Sequence, residues 1–305
     1  IGWLSGYKTI APNFIRNHDT ILFYSKKHTD VFFNKKYILN ADFKPLVKKE
    51  PNLCRKLTDL GLSEVQQKDL LHFINHENRP ERYPIEDTWN ANEYDDLNSI
   101  AIVSFSGEKV SKILGINQDF KGQKSIKMLM RLLEATTTED DIILDFFSGT
   151  ASTAHAVMQL NAEDGGNRKF IMVQLPEETD AKSEAYKAGY KNICEIGKER
   201  IRRAGTKIKA ENGMMAQNLD IGFRVLKLDS SNMQEVYYNP FAMTQDLLDS
   251  TVDNVKSDRT PLDLLFQVML DLGIELSAKI DEHTVNGKTY YAVNGNDIIA
   301  CFDDD

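Results

Sequence analysis

Asp141–Val157 reads DIILDFFSGTASTAHAV, and this stretch decides the fold. Ile142, Ile143 and Leu144 followed by Asp145 predict a buried parallel strand that ends in a carboxylate. A loop of small residues follows at once: Ser148, Gly149, Thr150, Ala151, Ser152 and Thr153. Ala154, Ala156, Val157 and Leu160 then recur at helical spacing. Strand, tight turn and helix in that order present backbone N–H groups to a ligand beyond the carboxyl end of the strand. Small side chains let the ligand approach the backbone. Gly149 is the only glycine in the loop, so the dinucleotide pattern G-x-G-x-x-G is not met. A plain strand-to-helix turn is the alternative reading.

Lys169–Leu175 is a second buried-strand pattern, ending in Pro176-Glu177-Glu178. A carboxylate just after the second strand is where Rossmann-like folds hold the ribose hydroxyls of a nucleoside cofactor. Spacing favours Glu177 for that role and leaves Glu178 as a solvated acidic residue.

Asp145-Phe146-Phe147-Ser148-Gly149 resembles the D-x-F-x-G cofactor motif of S-adenosylmethionine-dependent DNA amino-methyltransferases. The longer run DFFSGTASTAHAVMQLNAEDGGNRKFIMVQLPE is similar to the modification subunits of type III restriction–modification systems. The likeness continues through 193–204 (ICEIGKERIRRA), 220–232 (DIGFRVLKLDSSN) and 264–273 (LLFQVMLDLG). It implies S-adenosyl-L-methionine as cofactor, framed by Asp145, Phe147, Gly149 and Thr150, with Glu177 on the ribose. Members of this family often carry a second glycine where this chain has Ala151. At a positive φ an alanine there costs about 1 kcal/mol or more.

Hydrophobic content of 41% and charged content of 27% are those of an ordinary globular chain. No apolar run approaches about 18 residues, which excludes a helical membrane span. The opening IGWLSGYKTI has no signal-peptide pattern and no starting Met, so the chain is expected to begin in the middle of something. Cys54, Cys194 and Cys301 are far apart and form no C-x-x-C, which points to reduced thiols in a cytoplasmic protein, with no metal site and no disulfide framework. Net charge is −9, but residues 1–60 carry 11 Lys and Arg against 5 Asp and Glu. The amino end is therefore the expected place for phosphate contacts, although a solvated basic face has the same composition.

Thr20–Ser25 is a strand candidate, flanked by His18 and by Lys26-Lys27. The resemblance makes it a late strand of the methyltransferase sheet, with His18 near a target-base pocket or simply structural. Residues 34–116 show helical spacing at Leu53, Leu57 and Leu60 and again at Val65, Leu70, Leu71, Phe73 and Ile74. The family places its target-recognition region in this interval, where Trp89 and Tyr94 read either as base contacts or as core.

Residues 117–135 predict a helix with Ile126, Leu129, Met130 and Leu133 on one face. Ahead of it, Phe120 and Lys124 match the family's F-x-x-P-K-P motif, while Gln123 and Ser125 replace its prolines. The match assigns Lys124 to the methionine part of the cofactor; a solvated charge at a helix start is the alternative. A helix is expected over 181–204 and a third strand over 221–228. In the tail, Pro261–Leu272 reads as an amphipathic helix, Glu275–Ile280, Thr289–Val293 and Ile298–Phe302 as strands, and Asn286-Gly287 as a hairpin turn.

Amino-group methylation requires a [D/N/S]-P-P-[Y/F/W] loop that accepts hydrogen bonds from the target amine and stacks an aromatic on the flipped base. The sequence has eight prolines and no Pro-Pro. Tyr238-Asn239-Pro240-Phe241 is one proline short and falls in a connector. No catalytic residue is therefore assigned. In the resembling subgroup the catalytic motif comes first, so the chain is expected to be the carboxyl-terminal portion of a longer methyltransferase. A central strand without its catalytic neighbour has an unpaired edge, and such a fragment is expected to be marginal and inactive alone.

The expected fold is α/β: a Rossmann-like methyltransferase sheet, incomplete in this chain, with a small α+β carboxyl-terminal appendage. The expected divisions are late strands of the sheet (1–33), a target-recognition-like insertion (34–116), the S-adenosylmethionine-binding part (117–235) and a subunit-contact region (240–305). The expected function is a site-specific DNA adenine-N6 methyltransferase of a restriction–modification system. Its expected partners are double-stranded DNA and, through the carboxyl-terminal region, a restriction subunit or a second modification subunit, with no membrane. The alternatives are a non-catalytic DNA- or subunit-binding module with a relic cofactor pocket, and a nicotinamide-dependent enzyme on a similar fold.

Overall fold

The computed structural model describes residues 2–4, 18–27, 29, 31–85, 88–89, 110–117, 120, 123–234 and 254–303. The chain divides into two compact units, 1–222 and 223–305.

In the first unit β1 (Gly2–Leu4) lies between β2 (His18–Thr20), antiparallel to it, and β5 (Thr88–Trp89), parallel to it. The strand expected over Thr20–Ser25 is displaced. Only Thr20 of that run is in the ladder, paired with Gly2, and Leu22, Phe23 and Tyr24 are exposed. A β-prone run becomes a strand only where an edge meets it. Ile21 instead packs with Ile85, Leu129 and Leu132 on buried Met128.

A hairpin-like pair, β3 (Tyr37–Leu39) and β4 (Arg82–Pro84), brackets the two helices read from leucine spacing, α1 (Pro51–Asp59) and α2 (Glu64–His72). Ser63 caps α2 in a capping box with Gln66. Much of the apolar stripe there stays in water: Leu60 and Val65 are exposed while Leu71 is buried. Buried polar groups do the joining instead. Asn75 accepts from Val47 N at 2.9 Å and donates to its carbonyl at 3.0 Å, and the Arg79 guanidinium stacks 4.6 Å from the Phe43 ring centroid.

Next come α3 (Val110–Leu114), α4 (Ile126–Thr136), β6 (Ile142–Asp145), α5 (Ser152–Asp164), β7 (Lys169–Met172), α6 (Glu184–Lys187) and α7 (Ile193–Asn212). Helix α5 is buried almost all round because α4 and α7 both pack against it. The predicted face of α4 joins it: Leu133, Ala156, Val157 and Leu160 form a core with Ile126, Leu129 and Met130. Strands β6 and β7 pair in parallel, with Ile143 opposite Phe170, and this pair of side chains closes the same core.

The two strands are not buried on both faces as their composition suggested. Ile142, Leu144, Ile171 and Val173 point away from the helices and are 50–60% exposed. Among the described residues this sheet has two strands.

The helix expected over 181–204 is broken in two. Gly189 (φ 98°) ends α6, and Asn192 starts α7 by accepting from Glu195 N at 3.0 Å. The third strand expected over 221–228 is not formed. No described strand pairs with it, and Val225, Leu226 and Leu228 are exposed.

The second unit is a helix on a three-stranded antiparallel meander. Helix α8 (Pro261–Asp271) packs Leu265 and Met269 on Tyr291, Val293 and Ile298 from β8 (Ile280–Val285), β9 (Lys288–Val293) and β10 (Ile298–Cys301). Asn286 (φ 52°) and Gly287 (φ 81°) make the two-residue turn. That turn fixes Val285 opposite Lys288 and carries the ladder back only to Ile280 opposite Val293. The strand expected over Glu275–Ile280 therefore starts where it was expected to end, and Glu275–Ala278 form a turn instead.

Candidate functional site

Strand β6 delivers Asp145 to the carboxyl edge of the sheet, and the next residues are organised around its carboxylate. Oδ1 accepts from Phe147 N at 3.2 Å, and Oδ2 accepts from Thr153 Oγ1 at 2.6 Å. One side chain thus ties the strand end, the turn after it and the first turn of α5. The parallel neighbour closes the loop from the other side. Ser148 N donates to Val173 O at 3.3 Å, and Gly149 N donates to Gln174 Oε1 at 2.7 Å.

The backbone between these anchors is left-handed at Gly149 (φ 52°) and at Ala151 (φ 59°, ψ 41°). Ala151 is therefore in a conformation that its Cβ disfavours by about 1–2 kcal/mol, and it lies at the entry to α5. A Cβ built on Gly149 would meet only Phe147 O, at 4.0 Å, so the space on the Cβ side of this residue is open. Phe146 and Phe147 stand 63% and 80% exposed beside it, their rings 5.1 Å apart.

Glu177 lies three residues beyond Gln174, with an exposed side chain. Its carbonyl accepts from Ile193 N at 2.9 Å, which draws the start of α7 to the loop after β7. Cys194 sits in the same corner, its Sγ 3.5 Å from Gln174 O. Burial pushes the Cys194 thiol up, Lys198 opposes this, and Glu195 and Glu177 add to it. Lys124 is exposed one residue ahead of Ser125, whose Oγ caps α4 by accepting from Met128 N at 3.4 Å. Gln123, in place of a family proline, accepts from Val110 N at 2.9 Å and donates to Phe120 O at 3.1 Å.

Asp145, Phe147, Gly149 and Thr150 are thus in one loop, and Glu177 follows the residue that closes it. Lys124 stands on a separate element, the amino end of α4. His18 lies in β2, and Tyr94 and Tyr238–Phe241 lie outside the described residues. Gln174, Thr153 and Arg200 were not singled out for this site, although each bonds to the loop or its anchoring carboxylate. Arg200 did leave a signal. It interrupts the apolar stripe Ile196, Ile201, Ala204, Ile208 of α7 on its buried side.

The arrangement fits a nucleoside-bearing cofactor. Open backbone at Gly149, an exposed aromatic ring at Phe147 and an exposed carboxylate at Glu177 all lie at the carboxyl end of paired parallel strands. Among the described residues no helix is long and apolar enough to cross a membrane.

Residues 4–203 match the N6/N4 methyltransferase family, described as DNA methylase. The type III restriction-modification enzyme StyLTI Mod subunit of Salmonella typhimurium is 38% identical over 134 residues, which is 43% of this chain and 20% of that protein. The EcoP15I Mod subunit of Escherichia coli is 39% identical over 113 residues, 37% of this chain and 16% of that protein. The type II methyltransferase M.KpnI of Klebsiella pneumoniae is 28% identical over 132 residues, 43% of this chain and 30% of that protein. The alignments span a fifth or less of the two Mod subunits and under a third of M.KpnI. With two thirds of its length inside the family match, this chain belongs to the N6/N4 methyltransferase family of DNA methylases.

Proposed function

We propose that the chain supplies the cofactor-binding part of a site-specific DNA adenine-N6 methyltransferase of a restriction–modification system, with S-adenosyl-L-methionine as cofactor. The observation that carries this reading is the Ser148–Ser152 loop, closed by Asp145 and Gln174 and open to an incoming ligand at Gly149. The Mod-subunit relatives support the restriction–modification setting.

Each residue has a distinct task. Asp145 frames the cofactor by shaping the loop through Phe147 N and Thr153. The exposed ring of Phe147 offers a face to the adenine, and the Gly149–Thr150 backbone allows close approach. The Glu177 carboxylate accepts from the ribose hydroxyls, and Lys124 meets the carboxylate of the methionine part. When bound, S-adenosylmethionine supplies an electrophilic methyl group for an exocyclic amine. The described residues hold that group and its orientation, while attack on it requires a catalytic loop of the [D/N/S]-P-P-[Y/F/W] type, which this sequence does not contain.

The sheet is read as part of a Rossmann-like methyltransferase sheet, with residues 1–33 contributing late strands. Residues 34–116 serve target recognition, and exposed Lys26, Lys27, Lys35, Lys48, Lys49, Arg55 and Lys56 are suited to phosphate contacts. The tail from 240 onward is assigned to contacts with a restriction subunit or a second modification subunit. Calorimetric titration tests the core of this reading. The chain should bind S-adenosylmethionine at micromolar concentration and ignore NAD, and Asp145→Ala should lose that binding. A folded chain that takes up neither compound would remove the support for a working cofactor site.

A further inference from the structure

The cofactor loop is also held from α7. Four cations of that helix are matched one turn away: Lys198 with Glu195 at 2.6 Å, Arg203 with Glu199 at 2.7 Å, Arg202 with Glu199 at 3.5 Å and Lys207 with Glu211 at 3.7 Å. Arg200 points to the loop. It is 1% exposed, the largest fully buried side chain of the described residues. Its Nη1 donates to Ser152 Oγ at 2.8 Å and to Thr150 Oγ1 at 3.0 Å, with Thr150 O at 3.5 Å. One turn earlier Gly197 brings the helix against the same loop: a Cβ there would lie 3.4 Å from Gly149 O and 3.5 Å from Ala151 Cβ.

Thr150 and Ser152 flank Ala151, the residue held left-handed at φ 59°. Alanine, which has a Cβ and no polar side chain to bond locally, keeps such a conformation where its surroundings over-determine it. The guanidinium grips both flanks at once with charge-assisted hydrogen bonds, which are short and directional. We propose that Arg200 is a positioning residue for the cofactor loop. By bridging Thr150 and Ser152 it keeps Ala151 left-handed and so sets where the Gly149–Thr150 backbone meets S-adenosylmethionine. The inference rests on the cofactor reading given above, but the hold on the loop is a property of this chain without ligand. Arg200 does its work through the loop and touches no reacting atom.

Four variants of the 305-residue chain test this: Arg200→Ala, Arg200→Lys, Ala151→Gly and the double variant Arg200→Ala/Ala151→Gly. Two readouts are taken, amide hydrogen exchange over 149–153 without ligand and calorimetric affinity for S-adenosylmethionine. Arg200→Ala should raise exchange in that segment tenfold or more while the β6 amides stay protected, and affinity should fall tenfold or more. Lys at 200 should recover part of both. Glycine accepts a positive φ without support, so removing Arg200 should cost several-fold less affinity when residue 151 is glycine. Unchanged loop exchange in a folded Arg200→Ala chain overturns the inference. So does an affinity loss that is the same with Ala or Gly at 151. If Arg200→Ala does not fold, the Lys variant is read by the same two criteria. If the unaltered chain takes up no S-adenosylmethionine, the cofactor reading fails, and the exchange measurement alone decides whether Arg200 holds the loop.

Discussion

Thr153 Oγ1 donates to Asp145 Oδ2 at 2.6 Å, joining the last residue of β6 to the second residue of α5. The aspartate that marks the family's motif is thus a fastener of its own loop. Thr153→Val keeps the shape and removes the donor, leaving a half-buried carboxylate oxygen short of a partner. A hydrogen bond to a charged group contributes about 1.5–3 kcal/mol, so urea unfolding of the first unit should show a loss of that order. Thr153→Ser should restore most of it. Asp145→Ala releases Phe147 N as well and should cost more than Thr153→Val.

Two glycines in α7 should answer oppositely to alanine. Each costs roughly 1 kcal/mol relative to Ala in a helix interior. At Gly197 the new Cβ would find 3.4 Å to Gly149 O and 3.5 Å to Ala151 Cβ, ordinary contact distances. Gly197→Ala should therefore leave stability unchanged or raise it by up to about 1 kcal/mol. At Gly205 the Cβ would sit 2.8 Å from Ile221 Cβ and 3.1 Å from its Cγ2. Overpacking of that kind costs about 1–3 kcal/mol, so Gly205→Ala should be destabilising. Ile221→Gly, which lacks the Cβ that makes the closest contact, should remove the clash and bring the double variant close to Ile221→Gly alone. Thermal unfolding of the four proteins is enough to decide.

The elements legible in the sequence are those set by local pattern. Ile142–Asp145, the helix from Ser152, the amphipathic face of α4 and the Asn286-Gly287 hairpin all follow from spacing and turn chemistry. The misplaced elements are those that need a partner or a stop. IGFRVLKL has strand composition, yet among the described residues no strand pairs with it, and the apolar pattern over 181–204 continues across the Gly189–Asn192 stop and restart. At the site, the motif residues could be read from the sequence. Their hydrogen-bond partners Gln174 and Arg200 lie 25 and 50 residues from the atoms they contact. Nothing local to either residue states that distance, although an arginine on an apolar stripe is a sign of a buried bond.

The second unit should weaken in acid through one helix cap. Asp263 accepts from Thr260 Oγ1 and from Thr260 N, both at 2.7 Å. These bonds hold its carboxyl below the ordinary aspartate value of 3.8. A depressed folded pKa means that the contribution is fully present above 3.8 and is lost as pH falls through the lower folded value. Amide exchange in Leu264–Leu270, normalised for intrinsic rate, should therefore show protection that declines below pH 4 or so. Asp263→Asn should flatten that decline. Thr260→Ala should cost about 1 kcal/mol at neutral pH. Its effect should shrink in acid, since the carboxylate it bonds is then protonated.

The outer face of β6 and β7 is where the isolated chain is most exposed to misadventure. Ile142, Leu144, Ile171 and Val173 form a contiguous apolar strip 50–60% open to water, and among the described residues both strands have a free outer edge. An open edge beside apolar side chains is a template for another strand. The chain alone should bind a hydrophobic dye such as anilinonaphthalene sulfonate in its native state and form larger species as its concentration rises. Ile142→Thr with Ile171→Thr removes apolar groups that are already in water and keeps β-branched residues suited to strands, so unfolding midpoints should move little. Dye fluorescence and the light-scattering mass should both fall. Charged substitutions on the helix-facing side, at Ile143 or Phe170, should instead unfold the first unit, because those side chains close the core of α4 and α5. Equal dye binding by the unaltered chain and the double threonine variant would show that this strip is covered in solution.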